Sequence, residues 1–158
     1  MTDRDELIER YSTGVFSVQE ALAGATEEDL DRHAAEPGAW SARQVVHHLA
    51  DSETNSYLRL RRLVADEGTP SIQGYDEAGW AERLDYATRP IEPALAVFVA
   101  VREASAELLQ SLGNDLDWTR VGVHSESGTY TAEDWLQVYA DHAHEHADQI
   151  RRARQGLA

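Results

Sequence analysis

Two short stretches, SARQ at 41–44 and TAED at 131–134, each put a hydroxyl residue three positions before a side chain able to return a hydrogen bond. This is the capping-box arrangement, in which side chain and backbone satisfy each other's exposed donors at a helix start. Trp40 with Val45, and Tyr130 with Trp135, are spaced for the hydrophobic staple that fixes how the chain enters such a helix. Behind each start lies a long amphipathic run. The first reaches about Asp66 and stops before GTP; the second continues nearly to the C-terminus. Two more runs share the helical period. One spans Thr2 to Ala23, with Leu7, Tyr11, Val15, Val18 and Leu22 on one face. The other starts near Thr88 and passes through Leu95, Phe98, Val101, Leu108 and Leu109 to Gly113. Pro90 is tolerable in its first turn, while Pro93 sits at the limit of what a first turn accepts. Four amphipathic helices must bury their apolar stripes against one another, so the expected fold is all-α: a four-helix bundle in one domain, 1–158.

The connections are longer than those between neighbouring antiparallel helices. Residues 24–40 hold a helical turn around Glu27 to His33, and 67–87 contain YDEAGWAERLDY, a second short helix with Tyr75, Trp80 and Tyr86. In 114–130, RVGVH and GTYT can pair as a small β-hairpin across SESG. Such lengths suit a bundle with long crossover loops, or loops that build a site. No repeat or low-complexity stretch interrupts the pattern.

Composition narrows the function. The formal net charge of -15 repels phosphate backbones and anionic bilayers, so neither a nucleic acid nor a membrane is an expected partner. The longest apolar run, ALAVFVAV, is far too short to span a bilayer, and the charged start MTDRDELIER lacks a signal-peptide core. A cytoplasmic location is the expectation. With no cysteine, disulfides, thiolate metal sites and a cysteine nucleophile are all excluded. Any metal must be held by His, Asp or Glu. The basic residues are all Arg, which together with the many Ala residues suggests a GC-rich genome and carries no mechanism.

The histidines divide by helical phase. With His142 at zero, Trp135 lies at about +20°, Tyr139 at about +60°, His146 at about +40° and Ala153 at about +20°. His142 and His146 therefore share the apolar seam, roughly 6 Å apart along the axis, while His144 at about 200° points away. On the second helix, with Leu49 at zero, His48 lies at about -100° beside Ser52 at about -60°, at the edge of the interior; His47 at about 160° should be solvated. His33 and His124 fall in loops, His124 beside a hairpin turn where it can stand at the mouth of a pocket or simply on the surface. Buried imidazoles need partners, at about 1–3 kcal/mol for each unsatisfied group. A shared ion satisfies two at once, and a third ligand must come from another helix. The alternative is a set of histidines packed without an ion. HAHEH is not the HExxH motif: position 143 is Ala, so the general base of that chemistry is missing, and Glu145 reads as a rim or salt-bridge residue. Neither a GxSxG elbow nor a Gly-rich phosphate loop is present.

PGAWSARQVVHHLADSE, 37–53, resembles the second-helix signature of DinB-like four-helix-bundle proteins: Trp-Ser, an apolar stretch, then His-Leu-Ala-Asp-x-Glu. DHAHEHADQI, 141–150, resembles their last helix, and the middle of the chain is similar to the YfiT-type branch, which includes metal-dependent hydrolases and bacillithiol transferases. The resemblance spans nearly the whole chain. It implies that His48, His142 and His146 bind one divalent ion, typically zinc or nickel. His47 departs from the family pattern, which usually has a small or apolar residue there. It also implies a small-molecule substrate and brings a homodimer into view, though no stripe of this sequence specifies one. The reaction expected first is S-transfer of a low-molecular-weight thiol cosubstrate to an electrophile, with metal-dependent hydrolysis as the alternative. A non-catalytic metal-binding stress-response module is the reading from a different class. Tyr75, Trp80, Tyr86 and His124 are candidate pocket walls, and Glu53 and Asp51 are candidates to orient a ligand from behind.

Overall fold

The structure, a computed structural model that describes residues 3–157, contains in chain order α1 (Asp3–Leu22), α2 (Glu27–Asp31), α3 (Ala42–Ala65), β1 (Ser71–Ile72), α4 (Glu77–Arg83), α5 (Glu92–Leu112), β2 (Val121–His124), β3 (Gly128–Thr131) and α6 (Ala132–Gln155). The four long helices are the four amphipathic runs. Thr2, where the sequence pattern begins α1, lies outside the described residues. Both capping boxes form. The Ser41 hydroxyl accepts from the Gln44 N–H at 3.2 Å while the Gln44 side chain accepts from the Ser41 N–H at 2.9 Å, and Thr131 and Asp134 exchange the same two bonds at 3.1 and 2.8 Å. The short α2 is capped likewise by Thr26 and Asp29. Helix α5 begins later than Thr88. Residues 85–88 are held in a turn, with Asp85 at a positive φ of 51° and its carboxylate accepting from the Thr88 hydroxyl, so Pro90 precedes the helix and Pro93 occupies its second position.

The connectivity explains the long loops. Helix α1 packs on α6 and α5, and α3 packs on α5 and α6. Around the bundle the order is therefore α1, α6, α3, α5, which puts α1 and α3 across one diagonal and α5 and α6 across the other. The links carrying α2 and the hairpin must cross an end of the bundle, whereas the α3–α5 link joins neighbours. The hairpin pairs Val121 with Thr131 through His124 with Gly128. It also gains a strand that the sequence pattern does not announce: β1 adds in parallel, pairing Ser71 with Val123 and Ile72 with His124. Two residues are too short to show an alternating pattern. This strand ties the α3–α4 loop to the α5–α6 loop at the end of α3, and so fixes the side of the molecule next to His142.

Helix α6 presents Ala140, Ala143 and Ala147, all fully buried, and α1 meets this stripe with Gly14. A Cβ at Gly14 would lie 2.7 Å from Arg102 Nη2 and 2.8 Å from Ala143 Cβ. Gly14→Ala should accordingly destabilise the protein by about 1–3 kcal/mol, seen as a lower urea midpoint with an unchanged m-value. No helix among the described residues is long and apolar enough to cross a membrane.

Candidate metal centre

Helices α3 and α6 bring three imidazoles together. His48 Nε2 lies 3.2 Å from His146 Nε2, which lies 3.2 Å from His142 Nε2. The three ligand atoms all fall within 4.8 Å of one another, and this is the group of that kind found among the described residues. His48 is buried and its ring leans on Trp40, centroids 5.1 Å apart; His142 and His146 are half-buried, one turn apart on α6.

The outer nitrogens define which way the lone pairs point. His142 Nδ1 lies 3.1 Å from Glu53 Oε1, and His146 Nδ1 lies 2.7 Å from Gln149 Oε1. Both partners are acceptors, so each Nδ1 carries the hydrogen and each Nε2 is left as a lone pair, a tautomer assigned from the partners. Two such lone pairs facing each other at 3.2 Å repel unless a cation or a donated hydrogen stands between them. Burial, then the neighbouring His146 and His142, pushes the His48 pKa down to about 3, and burial followed by His142 pushes His146 down to about 4. Both rings are therefore neutral at physiological pH, the form that ligates metal.

Glu53 is wholly buried and holds more than His142. Its Oε1 also accepts from Arg102 Nη1 at 2.5 Å. Arg102, equally buried, donates from Nε to the Tyr11 carbonyl at 3.1 Å and from Nη2 to the Tyr139 carbonyl at 2.9 Å, with its guanidinium 3.9 Å over the Tyr11 ring. Burial opposes the charge on Glu53, but Arg102 and His142 outweigh it and hold the carboxyl below its ordinary range. The result is a fixed chain from α5 through α3 to α6 that sets one ring of the cluster.

His47 is a correction. The helical phase places it in solvent; in the structure it is 3% exposed. The α4–α5 connection covers this face of α3, so the His47 ring stacks on Tyr86 at 5.4 Å and its Nε2–H donates to the Arg89 carbonyl at 3.1 Å. Helical phase on one element cannot register a loop folded over its far side. Asp51 faces the same way and accepts from the Tyr86 hydroxyl, away from the three rings.

A cleft of about 270 Å³ opens beside His142. Tyr75 and His124, two of the expected wall residues, line it together with Ser52, Arg59, Tyr130 and Tyr139. His124 ends β2 and is nearly buried, its Nδ1 accepting from the Glu126 and Ser127 N–H groups at 3.2 and 3.3 Å. Trp80 and Tyr86 do not line it: Trp80 packs behind Tyr75, centroids 4.5 Å apart, and Tyr86 is buried against His47. Sequence reasoning missed Arg102 and Arg59. Arg102 had a signal, since it lies at about +40° from Phe98 on the apolar face of α5.

Fold and site together define a helical-bundle protein with a three-histidine cluster between its second and last long helices. The sequence model of the DinB superfamily matches residues 4–150, and the chain belongs to that superfamily. It is 33% identical over 148 residues to a Bacillus subtilis protein named "Putative metal-dependent hydrolase YfiT", covering 93% of this chain and 82% of that one. A similarly named protein of Oceanobacillus iheyensis is 40% identical over 113 residues, 72% of this chain and 64% of that relative's length. The solved structure of Bacillus subtilis YfiT, described as a probable metal-dependent hydrolase with an unusual four-helix bundle topology, superposes with a TM-score of 0.85 at 31% identity, covering 100% of this chain and 91% of that one.

Proposed function

We propose that this protein is a metal-dependent hydrolase in which His48, His142 and His146 hold one divalent cation. The observation that carries this reading is the convergence of three Nε2 atoms, two of them with lone pairs set inward by Glu53 and Gln149. The two spacings made by His146 suit an ion: imidazole nitrogens about 2.0–2.1 Å from a tetrahedral centre lie about 3.3 Å from one another. Three neutral ligands leave the charge of the ion undiminished. A divalent ion there supplies Lewis acidity, easing deprotonation of a water or a thiol placed beside it.

The protein's own groups prepare the rest. Glu53, clamped by Arg102, keeps the His142 ring in one orientation, as partners behind metal-binding histidines commonly do. Ser52 places its hydroxyl 3.4 Å from His142 Nε2, at the inner end of the cleft. His124, with Nδ1 engaged by backbone donors, has Nε2 left to donate to a molecule bound in the cleft. The names carried by the relatives favour water as the nucleophile. Transfer of a low-molecular-weight thiol is a second reading, supported by the resemblance to the branch containing bacillithiol transferases and by the absence of any cysteine that would compete.

Elemental analysis of the purified protein should find close to one equivalent of a divalent metal, with zinc or nickel expected first. His48→Ala, His142→Ala and His146→Ala should each lose most of it, and His47→Ala should keep it. Full metal content in all three ligand variants would remove the site. Turnover of esters or amides without added thiol selects hydrolysis; turnover of monochlorobimane only with a thiol selects transfer.

A further inference from the structure

The cleft beside His142 contains a cation without an ionic partner. Arg59 donates from Nη1 to the Tyr139 hydroxyl at 3.0 Å and from Nη2 to the Gln73 carbonyl at 2.8 Å, while its Nε–H is buried with no partner. Neutral oxygens are its only partners among the described residues, and no carboxylate reaches it within salt-bridge distance. Arg61, Arg62, Arg89, Arg120 and Arg152 also lack an ion pair among the described residues, so what sets Arg59 apart is its place on the cleft together with its buried, unpartnered Nε–H. Two glutamates, Glu77 and Glu126, line the same cleft and are exposed, yet neither closes on Arg59. The Tyr139 hydroxyl that Arg59 touches belongs to the residue one turn before His142, with rings 5.3 Å apart. The positive charge and His142, the member of the histidine cluster that reaches the cleft, thus line one cavity.

We infer that this cleft selects small molecules bearing a single carboxylate, which docks on Arg59 while the rest of the molecule extends toward His142. The inference deepens the reading of the three histidines as the reactive centre and rests on it for the identity of the reactive end. A guanidinium offers a planar fork matched to a planar carboxylate. At about 270 Å³ the space admits a small molecule, not a polymer. The rim carboxylates of Glu77 and Glu126 repel a second negative charge, so dianions and phosphate monoesters are disfavoured.

Binding, read without turnover, tests this. In NMR titrations of the purified protein, pentanoate should bind at least about tenfold more tightly than pentanamide. Arg59→Gln should erase that preference and leave pentanamide binding unchanged, and Arg59→Lys should restore only part of it. His146→Ala, which removes a ligand of the proposed ion, should keep the preference. Glu126→Gln should tighten pentanoate several-fold and leave pentanamide alone, a result that does not depend on an Arg59 variant folding. Equal affinity for the two probes, or no binding of either, overturns the inference. So does a preference that survives Arg59→Gln and vanishes in His146→Ala, since the carboxylate would then be sitting on the histidine centre. Metal content reports separately on the centre itself: a metal-free protein that still prefers pentanoate through Arg59 would sink the hydrolase reading and spare this one.

Discussion

Arg102→Met should destabilise the metal-free protein by about 3–5 kcal/mol, the range for removing one partner of a buried ion pair. Arg102 and Glu53 are both fully buried, and each is the other's counter-charge. Taking away the guanidinium leaves a carboxylate with no water to solvate it and removes the second donor from the Tyr11 and Tyr139 carbonyls, which keep their helical bonds. The double variant Glu53→Gln with Arg102→Met should recover part of the loss, because neither charge is then stranded. Glu53→Gln alone has a second effect. The amide carries no charge to favour the His142 tautomer, so metal affinity should fall about 10–100-fold, as it does when a partner behind a metal-binding histidine is removed. Urea denaturation of the four proteins, with metal affinity from competition against a chelator, separates the two effects. An Arg102→Met cost below about 1 kcal/mol with no recovery in the double variant would mean that water reaches the pair and that its burial is only apparent.

The helices were legible because their ends are written locally: Ser41 with Gln44, and Thr131 with Asp134, need no tertiary information to start a helix. The same holds for the phase of His142 and His146, which one helical wheel places on the inner seam. What was not legible depended on chain far away in sequence. His47 is buried by Tyr86 and Arg89, and the two-residue strand β1 exists only because β2 is there to receive it. Arg102 sat on the apolar face of α5 in plain view, but an arginine at such a phase reads as a boundary residue until a buried carboxylate is known to meet it. Arg59 is a similar case. It lies at about -80° from Leu49, on the line that holds His48 and Ser52. That row of polar residues along one edge of α3 was the available sign of a cleft, and only the packing of α6 and the hairpin against it shows which of them share a cavity.

The metal-free protein should lose about 4 kcal/mol of stability between neutral pH and about pH 5. His48 and His146 have pKa values near 3 and 4 in the folded chain, against 6.5 when exposed. Folding therefore favours their neutral forms, and the unfolded chain binds more protons throughout the interval between those values. Stability is complete above about pH 6.5 and declines as pH falls toward the folded values, by about 2 kcal/mol for each ring at about pH 5. His47 adds in the same direction, its pKa lowered by burial first. Glu53, held below its ordinary range, remains charged in this interval and contributes no decline until the solution is more acidic. Denaturation in excess chelator at several pH values should show this slope, and His48→Gln combined with His146→Gln should flatten it. Bound metal competes directly with protons for the same nitrogens, so the loaded protein should lose its ion in the same range and its stability should fall more steeply. A flat profile from neutrality to about pH 5 in the chelated protein would show that the rings are hydrated and free to charge where they stand, and the inward-facing lone pairs would lose their physical basis.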